Sequence, residues 1–377
     1  MIVSLVLSSC WGGLGLLFGI LPVGPGLTNR LGGIAAGDFM FFYSAGVVAR
    51  EGRAADAYDV AALTAAGRTW LGSVPDLVWP YPPTLSPPLA LLAWLPPGAA
   101  LCVWVGLGTA SLVAVGRLAF GRWRLAPVAL LFPASTFALF AGQLSPVLAL
   151  MLTVAILYES RRPSIAGAAL GLLAWKPHFA IAPALLIGKL RAIVVAAITV
   201  AVLVLVSAAV FGPGAWVAFV RNGARHASVI VAETPFSRFV TTFGLAATHG
   251  LPLPLAFGVH ALAAVLGCWV GRRLWQHAGL ASHRAIGLVA ATFLLTPYAL
   301  DYDLVLLLLP WLLMIKEACA DPPGAPRLLW LWLMLLALTP TAYLLAIYTG
   351  GSYGALGILA CLAIAYRQER RRRTDRP

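Results

Sequence analysis

Long apolar runs broken by short polar or basic stretches organise most of this chain, and their lengths carry the first structural expectation. A helix needs about 20 mainly apolar residues to cross a bilayer. Runs that meet this loosely lie near residues 2–21, 98–118, 125–141, 144–159, 163–175, 177–188, 191–211, 252–271, 285–299, 303–316, 328–347 and 353–366. The pattern predicts an all-α polytopic membrane protein with about twelve crossings. Residues 163–188 read as two half-helices broken at Trp175-Lys176-Pro177, because proline removes a helix donor and biases the residue before it away from the α region. The first run lacks a basic leading region and a small-residue cleavage site, so it reads as a retained helix rather than a signal peptide.

Two connections are long, residues 22–97 and 212–251. The first is predicted to be structured: a helix from Asp38 to Arg50, then a second short helix through about Arg68, capped within Asp56-Ala57-Tyr58-Asp59. The piece from Leu85 to Leu95 is too short and proline-rich to span, and is expected to lie in the interface or dip into it.

Composition agrees with this pattern. The 377 residues are 61% hydrophobic and 10% charged, with a mean hydropathy of +0.90, far from the balance of a soluble domain. A net charge of +13 would suggest nucleic acid in a soluble protein, but here the bases are dispersed between apolar segments and no nucleic-acid partner is expected. The Arg370-Arg371-Arg372-Arg373 run is placed in the cytoplasm. Alternating backwards puts most of the 26 bases on that side, as the positive-inside rule requires. Residues 1–366 then form one integral membrane domain and 367–377 a basic cytoplasmic tail, while both long loops are extracytoplasmic. The five cysteines show no disulfide or zinc spacing and read as small buried hydrophobes.

Three polar clusters fall on the extracytoplasmic side. Asp38 precedes Phe39, Phe41, Phe42 and Tyr43; burial there would raise its pKa and suit it to act as a general base, although an N-cap role is equally open. Lys176 and His178 flank Pro177, where an ammonium, an imidazole and freed backbone donors suit a phosphate, unless Lys176 simply snorkels to the interface. Asp301 and Asp303 follow Thr296-Pro297-Tyr298 and suit sugar hydroxyls or a cation; no metal or other cofactor is expected. Gln143 sits at the junction of two runs, where an amide reads hydroxyls or caps a helix. The second loop adds Arg221, Arg225, His226, Glu233 and Arg238. No P-loop, GxGxxG after a strand, GxSxG or HExxH is present, so ATP- or NAD-driven chemistry has no support.

Taken in order, Asp38-Phe39-Met40-Phe41-Phe42-Tyr43-Ser44-Ala45, Ala57-Tyr58-Asp59, Trp79-Pro80-Tyr81-Pro82-Pro83, Gly142-Gln143-Leu144-Ser145 and Trp175-Lys176-Pro177-His178 resemble glycosyltransferase family 87. The resemblance runs from about residue 35 to about residue 315. It implies a GT-C-type helical bundle with extracytoplasmic juxtamembrane helices in a bacterial inner (plasma) membrane. It also implies a polyprenyl-phosphate-sugar donor, with mannose as the expected sugar, and a lipid-linked or periplasmic glycan acceptor. The family's outer-loop acid falls on Asp38 and its Lys-Pro element on Lys176 and Pro177. Where the family often carries histidines, Asp301 and Asp303 stand here.

The expected reaction is an inverting displacement with Asp38 as catalytic base. Lys176, His178, Arg225, His226 and Arg238 are expected at the donor phosphate, and Tyr43, Tyr81, Gln143, Asp301 and Asp303 at the sugar or acceptor. The competing readings are a multi-pass transporter or lipid flippase, and a scaffold that binds polyprenyl lipids without catalysis.

Overall fold

A computed structural model describes residues 35–320 and 349–374, together with Gly24 and residues 27–29. Apart from isolated bridge positions at Thr28, Asn29, Phe239 and Leu300, the described elements are helices. Three are long and apolar enough to cross a membrane: α4 (Pro97–Phe120), α9 (Leu190–Phe211) and α12 (Leu253–His277). Only 6% of the most apolar window of α9 is buried, and Leu190, Ile198, Leu205 and Val210 face outward. A continuous apolar face of that size has no place in water, so these helices identify a membrane protein.

The remaining expected crossings take other forms. Residues 125–141 form a 3-10 stretch, Trp123–Leu131, and helix α5 (Pro133–Ala141), bent by 72° from each other at Phe132. Pro127 inside the stretch and Pro133 at the head of α5 account for the break. Helices α6 (Ser145–Tyr158) and α13 (Ala281–Leu295) are apolar but shorter. Residues 303–316 are split between a 3-10 segment, Asp301–Leu307, and α14 (Leu308–Ala320). The expected crossing at 353–366 falls within α15 (Gly354–Thr374), and those at 2–21 and 328–347 lie outside the described residues.

The half-helix prediction matches the structure. Helix α7 (Pro163–Leu172) continues as a 3-10 turn to Trp175, the chain breaks at Lys176, and a turn over Pro177–Phe179 leads into α8 (Ile181–Ile187). In the first long loop, α1 (Phe39–Arg50) and α2 (Val60–Leu71) stand where the pattern puts them, and Asp59 caps α2 by accepting from the Ala62 N–H at 2.8 Å. Helix α3 (Ser86–Leu92) packs on α1 and leaves Leu91 and Trp94 outward, as expected of an interfacial piece.

The second long connection departs from its reading as a loop. Most of it is a 21-residue helix, α10 (Pro213–Glu233), followed by a turn at Phe236–Arg238 and a short helix, α11 (Thr242–Thr248). Arg221 and Arg225, one turn apart, are exposed while Ala215 is buried and Phe219 half-buried, an amphipathic periodicity that the net polarity of the segment conceals.

Helix directions sort the polar groups to two ends. Ser145, at the start of α6, contacts Asp303, whereas Glu159 just past its far end pairs with Lys189 and Arg284. The Glu159 end also gathers Ser282 with Glu317, and His283 with Gln368 and Glu369. The opposite end gathers Asp38, Tyr81, Gln143, Lys176, Arg238, Asp301 and Asp303.

Candidate functional site

Asp38 reaches this end through a close approach of two loops. Its N–H donates to the Ala141 carbonyl at 2.8 Å, and Gly142 follows at φ +70° as the C-cap of α5. A Cβ at Gly142 would collide with the Ala36 carbonyl oxygen, so two constraints, left-handed backbone and lack of space, call for glycine here. Trp104 of α4 ties down the same turn by donating its indole N–H to the Gly142 carbonyl at 2.8 Å.

Asp38 occupies the N-cap position of α1, yet its carboxylate makes no capping hydrogen bond. It instead accepts from the Gln143 side-chain amide, whose oxygen accepts from the Tyr81 hydroxyl at 3.2 Å. The choice left open by the sequence between a capping and a non-capping carboxylate thus falls on the latter. Burial pushes the Asp38 carboxyl above its ordinary value of 3.8, while the Gln143 amide and then Arg238 pull the other way. Burial likewise holds the Tyr81 hydroxyl well above its ordinary range, with the carboxylates of Asp303 and Asp38 adding to the effect.

Around this carboxylate lies a cavity of about 280 Å³ lined by Phe41, Asp76, Tyr81, Gln143, Glu233, Arg238 and Tyr302 among others. A second cavity, of about 260 Å³, is lined by Trp175, Lys176, His178, Phe219, Tyr298 and Tyr302. Pro80, Tyr81, Leu300 and Tyr302 belong to both linings and form the partition between them. The first is rich in charge, the second in aromatic rings.

Both cations at this partition are held by the turn after α13. Lys176 Nζ donates to both oxygens of Asp303, at 2.7 and 2.8 Å, and Arg238 makes a two-point contact with Asp301 at 2.9 and 3.0 Å. Ser145 adds a 2.5 Å hydrogen bond to Asp303, and the Leu300 N–H donates to its other oxygen at 3.1 Å. The Tyr302 ring lies between the cations, 5.0 Å from Lys176 Nζ and 5.8 Å from the Arg238 guanidinium carbon. Although burial pulls it down, the Arg238 guanidinium is held above its ordinary range by Asp301, so it stays charged. Main-chain contact supports the arrangement: Phe239 pairs with Leu300, and the Val240 N–H donates to the Ala299 carbonyl at 3.0 Å.

The sequence-derived candidates therefore divide. Asp38, Tyr81, Gln143, Lys176, His178, Arg238, Asp301 and Asp303 come together. His178 lines the second cavity, and its Nε2, like the Trp175 indole nitrogen, is buried without a hydrogen-bond partner among the described residues. Tyr43 is buried, and its hydroxyl donates to the Leu95 carbonyl at 3.0 Å, away from both cavities. Arg225 is exposed on α10 and lines neither cavity; the side chain of His226 lies outside the described residues. Asp301 and Asp303 spend most of their acceptor capacity on the two cations. Sequence reasoning missed Tyr302, Trp175, Ser145 and Asp76 as neighbours of the site. Trp175 and Ser145 stand inside motifs already noted and Tyr302 lies between the two aspartates; Asp76 carried no signal.

No curated protein and no solved structure gives a significant match to this chain. Residues 79–297, more than half of the 377, match the family model of glycosyltransferase family 87 and contain Tyr81, Gln143, Lys176 and Arg238. On that match, the chain belongs to glycosyltransferase family 87.

Proposed function

We propose that this glycosyltransferase moves a mannosyl residue from a polyprenyl-phosphate donor to a lipid-linked or periplasmic glycan hydroxyl, at the extracytoplasmic face of a bacterial inner membrane. The observation that carries the proposal is a partly buried, uncapped Asp38 carboxylate on one side of the Tyr81–Tyr302 partition, with Lys176 and His178 on the other. The separation of the polar end from the basic end of the bundle supports the sidedness, since the basic end fits the cytoplasm.

In this reading the acceptor hydroxyl enters the Asp38 cavity. Asp38 takes its proton as the acceptor oxygen bonds the anomeric carbon, and the bond from that carbon to the phosphate oxygen breaks. The polyprenyl phosphate leaves as a monoester and carries away the bonding pair, so no general acid is required. A single displacement inverts the anomeric centre.

Lys176 and Arg238 face the leaving phosphate already paired, so neither presents a bare charge. Two of the three Lys176 ammonium hydrogens serve Asp303, and Arg238 uses Nε and Nη2 on Asp301, leaving further N–H groups on each for phosphate oxygens. Pre-paired cations are fixed in place, and fixed donors need no reorganisation as charge develops. His178 Nε2 and the Trp175 indole supply neutral donors in the cavity that Lys176 lines, while Arg238 lines the Asp38 cavity across the partition.

The test is transfer of radiolabelled sugar in proteoliposomes from a panel of polyprenyl-phosphate sugars, with nucleotide sugars as the comparison. Turnover of polyprenyl-phosphate-mannose is expected. Turnover of a nucleotide sugar alone would overturn the donor assignment.

A further inference from the structure

We propose that Gln143 is a positioning residue for Asp38: its amide, oriented by the Tyr81 hydroxyl, holds one carboxylate oxygen and leaves the other to face the acceptor. The inference rests on Asp38 acting as the base.

The orientation of the amide follows from its neighbours. An ionised carboxylate only accepts, so the Gln143 nitrogen must point at Asp38 and its oxygen at Tyr81, which then donates. Burial keeps the Tyr81 hydroxyl protonated, so that donor persists across the working pH range. The backbone beneath is also fixed: the Gln143 N–H donates to the Ala138 carbonyl at 3.1 Å and the Gly142 N–H to Leu139 at 3.0 Å. Tyr81 in turn packs at a tilt against Phe42 and Trp79, with ring centroids 5.2 and 4.8 Å away. The relay therefore has a rigid start at Tyr81 and a rigid middle at Gln143, and it ends on Asp38 Oδ2.

Asp38 Oδ1 has no hydrogen-bond partner among the described residues, and the carboxylate lines the first cavity. An isolated aspartate rotates about its last torsion and presents either oxygen. With Oδ2 held, the syn lone pair of Oδ1 keeps a set direction into the cavity, which is the preorganisation a general base requires.

The same contact tunes the acid. Gln143 stabilises the charged form of Asp38, against burial. The other groups facing Asp38 are Arg238 in the turn after α10, Asp301 and Tyr302 after α13, Lys176 at the half-helix break, and Asp76 and Glu233 on the cavity wall. None of these donates a hydrogen bond to its carboxylate, so the loss of Gln143 leaves burial unopposed by any direct donor.

The experiment measures kcat and KM against pH for full-length protein in nanodiscs with polyprenyl-phosphate-mannose, comparing wild type, Gln143→Leu, Gln143→Asn and Tyr81→Phe. Gln143→Leu is expected to lower kcat by about a hundredfold, the lower end of what a positioned base contributes, with the donor KM within about twofold. The acid limb of its kcat profile should move to higher pH. Tyr81→Phe should move the limb the same way by less, and Gln143→Asn, which retains an amide, should recover part of the loss. An unmoved limb, or a change in acceptor KM alone, would overturn the proposal and make Gln143 a substrate contact. If Gln143→Leu fails to fold, Tyr81→Phe decides by the position of its limb. Full activity in Asp38→Asn would instead refute the base assignment itself.

Discussion

The Lys176–Asp303 pair offers a quantitative check on the architecture of the site. Asp303 is fully buried and accepts four hydrogen bonds, two from Lys176, one from Ser145 and one from the Leu300 N–H. Lys176 is 7% exposed and otherwise meets the rings of Phe179 and Tyr302. Removing one partner of a buried pair leaves the other charge uncompensated, at a cost of about 3–5 kcal/mol. Asp303→Leu belongs at the top of that range, because the ammonium then keeps only aromatic faces. Lys176→Met belongs at the bottom, because the carboxylate retains the Ser145 and Leu300 donors. The Lys176→Met/Asp303→Leu double variant removes both charges and should be close to wild type, since apolar replacement of a buried pair is neutral or stabilising by about 1–4 kcal/mol. Unfolding of the purified protein in mixed micelles, followed by tryptophan fluorescence, gives all four corners of the cycle. Additive single-variant costs, or a cost below about 1 kcal/mol for Asp303→Leu, would refute a buried charge pair here.

Four further outcomes are expected. Asp38→Asn should raise the melting temperature at neutral pH: the folded-state pKa is raised by burial, so the ionised carboxylate costs stability once the pH exceeds its ordinary 3.8, and the gain should fade as the wild type is protonated in acid. For the same reason transfer should fall as pH drops through a value above the ordinary carboxylate range, with activity retained on the alkaline side. Gly142→Ala places a Cβ in the left-handed region, worth about 1–2 kcal/mol, and against the Ala36 carbonyl; it should lower stability and activity together, read by melting and transfer assays. Arg238→Lys keeps the charge but loses the two-point contact with Asp301, so a roughly tenfold or greater loss of kcat is expected while the fold survives.

The elements legible from sequence were those with a local cause. Pro177 broke the half-helices, Asp59 capped α2, and the apolar runs marked the helices now seen at α4, α9 and α12. Helix α10 was hidden because its face is amphipathic and its polarity averages to a loop. The candidate site was legible as residue types, because ionisable groups are rare in such a chain and each one stood out. Their pairing was not. That Asp303 meets Lys176 across 127 positions, and Asp301 meets Arg238 across 63, depends on how α13 is placed against the half-helix break. No periodicity encodes that placement. The same limit applies to Tyr43, whose position beside Asp38 suggested a substrate contact, although its hydroxyl is committed to Leu95.

The central claim is that Asp38 takes the acceptor proton during sugar transfer. Its most direct test is the single-turnover transfer rate from polyprenyl-phosphate-mannose to acceptor, for wild type and Asp38→Asn, with donor binding measured on the same preparations. The account predicts unchanged donor affinity and a transfer rate reduced by at least about a hundredfold, with the anomeric configuration inverted in the wild-type product. An Asp38→Asn protein that transfers at the wild-type rate, or a retained configuration, would contradict it.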